Sequence, residues 1–128
     1  MQRVVLDTNV LVSALWTPAG NCSEITSLIL KDKLVPCFDY RILNEYRVVL
    51  SRPRFNLSRE KLNKLMEEII SRGLLVTVSF TTFTIPDEDD RKFYDVAKAC
   101  EAFLITGNTR HYPVEPMVMT PAQFLNRI

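Results

Sequence analysis

The fold is decided near the start of the chain, where residues 2–16 read QRVVLDTNVLVSALW. Residues 2–6 are a short, almost continuously apolar run, which is typical of a strand buried on both faces of a sheet. After Asp7 the apolar residues recur at three- and four-residue spacing from Val10 to Leu15, which predicts a helix that ends before Pro18. The sequence therefore predicts a buried strand followed directly by a helix, with an acidic residue at the junction.

The rest of the chain continues this alternation. Helices are predicted over 23–31, from a cap at Asp39 to Leu50, from Ser58 to the residue before Gly73, from Pro86 to Cys100, and from Thr120 through Leu125. Strands are predicted over 34–38, 74–80, 103–106 and, weakly, 114–119. Such an alternation predicts an α/β fold with a mainly parallel sheet of four to five strands, covered by helices on both sides.

Composition and charge narrow the class of protein. The 128 residues are 47% hydrophobic and 24% charged, which fits one globular domain over 1–128. The formal net charge of +1 argues against a protein held to nucleic acid or membrane by bulk charge. No apolar run approaches the ~20 residues of a spanning helix, so we expect a soluble cytoplasmic protein. Three separated cysteines and the single His111 predict reduced thiols rather than a disulfide framework or a zinc site.

Acidic side chains fall where a parallel sheet presents them to a ligand. Asp7 directly follows the first strand, and Asp90 extends the apolar stripe of the 86–100 helix at its N-terminal end. Both positions lie at the carboxyl edge of the predicted sheet, where ligands bind in open α/β folds. Helix capping is the alternative reading of Asp7, because Asp is a good N-cap residue. The neighbouring acids are interpreted as cap and solvated charge (Asp87, Glu88 and Asp89), and Asp95 is expected to face water.

Two further polar residues belong to the same edge on weaker grounds. Glu45 lies about a quarter turn from the apolar stripe of its helix, a position that also suits an exposed glutamate. Asn108 follows the 103–106 strand, where a Gly-Asn turn is an equally good reading. Carboxylates gathered within a few ångströms need a cation to stay ionised, and oxygen ligands without His or Cys favour Mg²⁺ or Mn²⁺. Such a site typically acts on phosphate esters.

The ordered set of motifs resembles PIN-domain nucleases over essentially the whole chain. The opening VVLDTNVLVSAL (4–15) resembles the start of that family. LNEY (43–46) with VLSRPRF (49–55), DEDDRKF (87–93) and FLITGN (103–108) are similar to its later signatures, in the same order. The resemblance implies a three-layer α/β/α fold and a metal-dependent ribonuclease. It also implies a toxin of a toxin–antitoxin pair, with an antitoxin protein as partner and a homodimer as the assembly.

The resemblance assigns roles residue by residue. It implies that Asp7, Glu45 and Asp90 are the catalytic and metal-ligating acids of a Mg²⁺ or Mn²⁺ site. The fourth acidic position of the family maps onto Asn108, which departs from the pattern because its amide is neutral and attracts a cation less. Residues that resemble the family's ligand-orienting groups are Thr8, Asn9 and Thr106.

The predicted RNA-binding residues come from an uneven distribution of charge along the chain. Basic residues exceed acids by three over 39–72, and Arg47, Arg52 and Arg54 in that segment are candidates to line an RNA path. Ordinary solvated helix faces are the alternative. Trp16, Tyr94 and Tyr112 are candidates to stack bases, with Tyr46 assigned to the core instead.

Three other functions are considered. A haloacid-dehalogenase-type phosphotransferase needs a second Asp where Asn9 stands, and a response-regulator receiver needs a Lys after the fifth strand, where Met119-Thr120 stands. A PIN fold without catalytic activity, binding RNA or a partner protein, remains the main alternative because Asn108 is neutral.

Overall fold

The protein has a five-stranded parallel sheet in the computed structural model, which describes residues 1–78 and 85–128. Its strands are β1 (Gln2–Leu6), β2 (Leu34–Phe38), β3 (Leu74–Leu75), β4 (Phe103–Ile105) and β5 (Val118–Met119). They lie in the order β3-β2-β1-β4-β5, and all four pairings are parallel. The strand that ends at Asp7 is therefore central, and the carboxyl ends of all five strands lie at one edge.

Helices cover both faces of this sheet. They are α1 (Thr8–Trp16), α2 (Asn21–Leu30), α3 (Tyr40–Leu50), α4 (Arg59–Arg72), α5 (Arg91–Cys100) and α6 (Pro121–Arg127). α5 packs on β1, β2 and β4 and contacts α3, whereas α2 packs on β2 and contacts α1, α4 and α6. This arrangement confirms the predicted three-layer α/β/α fold. Within the two described ranges, no helix has both the length and the apolar character of a membrane span.

Local sequence signals explain the helix boundaries. The side chain of Asp39 accepts a hydrogen bond from the backbone N of Ile42 at 3.0 Å, which caps α3 as predicted. Ser58 caps α4 in the same way through the backbone N of Lys61 at 3.1 Å. At α6 the capping box of Thr120 and Gln123 is complete, because each side chain bonds the other residue's backbone N. Capping residues together with the apolar periodicity therefore predicted these helix starts.

Gly73 is required by close packing. The sequence placed it just beyond α4, and there its backbone is extended, with φ −113°. A Cβ atom at this position would lie 2.4 Å from the backbone O of Pro36 and 2.4 Å from the ring of Phe38. The glycine therefore lets the chain leave α4 and enter the sheet beside β2.

The edge strands are shorter than predicted. The strand predicted over 74–80 spans Leu74–Leu75, and positions 79 and 80 of that prediction lie outside the described residues. The strand predicted over 114–119 spans Val118–Met119. Both are outermost in the sheet, where each has one neighbouring strand to pair with.

The expectation that Asp95 faces water is wrong. Asp95 is 2% exposed, and its Oδ2 lies 3.5 Å from Nη1 of Arg41 on α3. The prediction considered one buried face of the helix, whereas α5 contacts the sheet and also α3. Arg41 also binds Asp39, with Nε donating to Oδ2 at 2.8 Å. The buried Asp95 carboxylate therefore belongs to an ion-pair network between α3 and α5.

Candidate active site

Asp7 is the buried centre of the polar edge. Its backbone N donates to the carbonyl of Ile105 at 3.0 Å, which continues the pairing of β1 with β4 past the end of the strand. The residue is 5% exposed, and its Oδ2 accepts hydrogen bonds from the hydroxyls of Thr106 at 2.9 Å and Tyr112 at 2.8 Å. Burial raises the pKa of Asp7 in spite of these donors, and the negative charge of Glu45 raises it further.

Glu45 reaches the same edge from α3. The Thr8 hydroxyl donates to its Oε2, and the Nζ of Lys92 lies 2.7 Å from its Oε1. The next residue, Tyr46, donates its buried hydroxyl to the carbonyl of Leu6 at 2.6 Å. This bond fixes α3 against the end of β1, so the position of Glu45 relative to Asp7 is set by the fold.

Asp90 enters at the start of α5. It ends a short 3₁₀ turn, Glu88–Asp90, and its Oδ2 lies 2.8 Å from Nδ1 of His111. Burial, with the negative charge of Asp7, raises the pKa of Asp90 to about 6, and the charge of Asp87 adds to this effect. Asp7 therefore interacts electrostatically with Glu45 and with Asp90, although the three residues are far apart in the chain.

Asn108 and its neighbours complete the edge after β4. The Thr106 hydroxyl, which donates to Asp7, also accepts from the backbone N of Asn108 at 3.0 Å. Asn9 Oδ1 accepts from the backbone N of Gly107 at 3.1 Å and ties this loop to the start of α1. The structure therefore brings all seven predicted central residues to one edge: Asp7, Thr8, Asn9, Glu45, Asp90, Thr106 and Asn108.

His111 is a member of this edge that sequence reasoning missed. Its Nδ1 contacts Asp90, and its Nε2 lies 2.7 Å from Nδ2 of Asn108. Its two ring nitrogens therefore connect the carboxylate of Asp90 with the side-chain amide of Asn108. The spacing Asn108-x-x-His111 could have revealed it, because a single turn brings two such residues together, and a turn spans Thr109–His111.

Asp87 is also closer to the site than its predicted role as a cap implies. It does cap the 3₁₀ turn, since its Oδ1 accepts from the backbone N of Asp89 at 3.0 Å. Its Oδ2 lies 3.5 Å from Nδ1 of His111. Asp87, Asp90 and His111 each offer one potential ligand atom, and these atoms all lie within 4.8 Å of one another.

The donor set of the edge fits a hard divalent cation. Carboxylate and amide oxygens are available from Asp7, Glu45, Asp90 and Asn108, and these are the oxygen ligands that Mg²⁺ and Mn²⁺ prefer. Burial raises the pKa values of Asp7 and Asp90, and neighbouring carboxylates raise them further, so keeping both residues ionised here has a free-energy cost. A cation among them would relieve that cost.

The candidate RNA-binding residues lie on the surface. Arg47, Arg52 and Arg54 are exposed on α3 and on the turn that follows it. Arg54 packs its guanidinium 4.9 Å from the ring centre of Phe55, which itself lies 5.5 Å from the ring of Trp16. Trp16 is 62% exposed and open to stacking.

Two of the aromatic residues suggested for base stacking are not accessible to a base. Tyr94 and Tyr112 are both buried, so the expectation that they stack bases is wrong. The hydroxyl of Tyr94 donates to Glu115, and that of Tyr112 donates to Asp7. Burial and the nearby carboxylates raise the pKa of Tyr112, so it is a hydrogen-bond donor throughout the ordinary pH range. Tyr46 is buried, as predicted.

Comparison with known proteins identifies the family. The sequence profile described as PIN domain matches residues 3–110. The chain is 33% identical over 109 residues to the uncharacterized protein MJ1680 of Methanocaldococcus jannaschii, a match that covers 83% of this chain and 70% of that protein. The chain therefore belongs to the PIN domain family, whose members are nucleases, and the predicted family resemblance is confirmed.

A solved structure supports the same fold. It is a chain of the crystal structure of VapBC2 from Rickettsia felis bound to a DNA fragment from their promoter. The TM-score is 0.56 at 16% sequence identity, and the match covers 93% of this chain and 97% of that one. At this identity the similarity is one of fold.

Proposed function

We propose that the protein is an endoribonuclease that hydrolyses RNA phosphodiester bonds with Mg²⁺ or Mn²⁺. The observation that carries the proposal is the gathering of Asp7, Glu45 and Asp90 at the carboxyl edge of a parallel sheet, from three distant segments. The carboxylates of Asp7 and Asp90 would hold the ion, and Glu45 and the amide oxygen of Asn108 are the remaining candidate ligands at this edge. Once bound, a divalent ion would neutralise charge on the scissile phosphate and make a water molecule more acidic.

The surrounding polar groups orient these ligands. The hydroxyls of Thr106 and Tyr112 both donate to Oδ2 of Asp7, which fixes the orientation of this carboxylate. Thr8 holds Oε2 of Glu45, and Asn9 restrains the loop that carries Asn108. Partners that fix a ligand in this way typically contribute 10- to 100-fold to metal affinity or activity.

The substrate would approach over the basic surface of α3. Exposed Arg47, Arg52 and Arg54 provide positive charge on the same helix as Glu45 and on the turn beyond it. Phosphate contacts of this kind are lost progressively as salt rises. Exposed Trp16 beside Phe55 offers a ring for an unpaired base, which favours single-stranded RNA as the substrate.

We further propose that the protein is the toxin of a toxin–antitoxin pair, acts as a homodimer and binds an antitoxin protein. The support is the resemblance to PIN-domain toxins together with the fold shared with VapBC2. Expression of the wild type should arrest growth of the host cell, whereas Asp7→Asn should not. Light scattering of the purified protein should give the mass of two chains, and the mass of one chain would reject the homodimer.

The test of nuclease activity compares wild type, Asp7→Asn and Glu67→Gln on a labelled single-stranded RNA with Mn²⁺. Glu67 is exposed on α4, so its neutral variant is a matched control for purification and for loss of one negative charge. We expect Asp7→Asn to lose at least about 100-fold of the rate, Glu67→Gln to keep it, and EDTA to abolish it. Equal residual cleavage by wild type and Asp7→Asn would identify a contaminating nuclease and reject the proposal.

A second candidate function is an RNA- or protein-binding module with a weakened metal site. The observation that favours it is Asn108, because its neutral amide stands at the fourth acidic position and is engaged by His111. Under this alternative, wild type would bind the RNA in a mobility-shift assay without cleaving it. Asp7→Asn would then bind RNA as tightly as the wild type.

A further inference from the structure

Lys92 brings a positive charge of the protein itself into the acidic edge. It lies in the first turn of α5, two residues after Asp90, and its side chain is 16% exposed. Its Nζ lies 2.7 Å from Oε1 of Glu45 and donates to the backbone carbonyl of Asp89. A lysine this deeply placed beside a carboxylate is a fixed ion pair rather than a mobile surface charge.

Both oxygens of Glu45 already have a donor. Oε1 pairs with Lys92, and Oε2 accepts from the hydroxyl of Thr8. By contrast, in the part of the chain that the structure describes, Lys, Arg and His residues form no ion pair with Asp7, which receives two hydroxyl donors on one oxygen. The demand for an external cation is therefore concentrated near Asp7 and Asp90.

We propose that Lys92 takes the place of a second divalent cation, so that each chain binds one ion, for which Asp7 and Asp90 would supply the carboxylate ligands. This inference rests on the proposed metal-dependent function. An ammonium at Glu45 repels a divalent ion brought to the same carboxylate and has already neutralised the charge that would attract it. The lysine also has three N–H donors, of which Glu45 and Asp89 use two. The third is available to a phosphate oxygen of the substrate.

The number of bound ions tests the inference. Mn²⁺ is titrated into the metal-free wild type, Lys92→Gln and Lys92→Arg, with binding followed by calorimetry and by the electron paramagnetic resonance of free Mn²⁺. Lys98→Gln is a matched control, because Lys98 pairs with Glu115 on another part of the surface. Circular dichroism of each variant establishes that the fold is retained, and Lys92→Arg preserves the charge should Lys92→Gln not fold.

We expect one Mn²⁺ per chain for the wild type, Lys92→Arg and Lys98→Gln, and two for Lys92→Gln. Removal of the ammonium should strengthen Mn²⁺ binding at Glu45 by roughly tenfold or more, because it removes the repulsion between two positive charges about 5 Å apart. The inference would be overturned, and metal dependence left intact, by any of three results. These are two ions in the wild type, one ion in Lys92→Gln, or a second ion in Lys92→Arg. No Mn²⁺ binding in the wild type would instead reject the proposed function together with the inference.

Discussion

The raised pKa of Asp90 predicts that the acidic edge destabilises the metal-free protein. Burial and the charge of Asp7 raise this pKa from its ordinary 3.8 to about 6. The ionised carboxylate is therefore less favourable in the folded protein than in the unfolded chain. The difference between these two pKa values corresponds to a loss of about 3 kcal/mol in the free energy of unfolding at a pH above both of them. Some of this cost is screened by solvent, so we expect about 1–3 kcal/mol.

The perturbation that tests this estimate is Asp90→Asn. An asparagine keeps the size of the side chain and an oxygen that can accept from His111 Nδ1, but it carries no charge. The wild type should lose stability as pH rises from about 4 to about 7, because its unfolded state releases the Asp90 proton first. Asp90→Asn has no carboxylate to ionise at this position. Its gain in the free energy of unfolding over the wild type should therefore be small near pH 4 and largest near pH 8.

Urea unfolding in EDTA at pH 4 and pH 8 measures the effect, with Asp89→Asn as the exposed neighbouring control. At pH 8 we expect Asp90→Asn to be more stable than the wild type and Asp89→Asn to be close to it. Mn²⁺ should then stabilise the wild type but not Asp90→Asn. The reasoning would be refuted if Asp90→Asn were less stable at pH 8, or if its advantage were the same at both pH values.

Two further predictions concern packing around the site. Gly73→Ala should destabilise the protein by about 2 kcal/mol or more, because the new Cβ would overlap the backbone of Pro36, and an unchanged urea midpoint would contradict this. Arg41→Ala should cost about 1–3 kcal/mol, since it removes a cation from the buried carboxylate of Asp95. The double variant with Asp95→Asn should recover part of that loss, and additive losses would exclude the coupling.

Periodicity and capping were sufficient to predict the central elements of the fold. β1 and β2 match the predicted ranges 2–6 and 34–38, because buried parallel strands appear in a sequence as short apolar runs. The edge strands were predicted too long. Leu74 and Leu75 of β3 are 39% and 48% exposed, so a hydrophobic pattern there does not report burial.

The sequence also predicted which side chains meet at the carboxyl edge, since strand ends and helix starts carry them there. It did not predict the partners of those side chains. Lys92 contacts Glu45, which lies 47 residues earlier in the chain, and His111 contacts Asp90, which lies 21 residues earlier. Such contacts depend on how helices and loops pack. Asp95 was misplaced for the same reason, because its partner is on another helix.

The position of a bound ion shows whether Asp7 and Asp90 form the metal site. A crystal of the wild type grown with Mn²⁺ would locate the ion through its anomalous scattering. We predict a peak within about 2.0–2.4 Å of carboxylate oxygens from both Asp7 and Asp90. A crystal with bound Mn²⁺ but no peak at those two residues would contradict it, including one in which the ion is held by Asp87 and His111 instead.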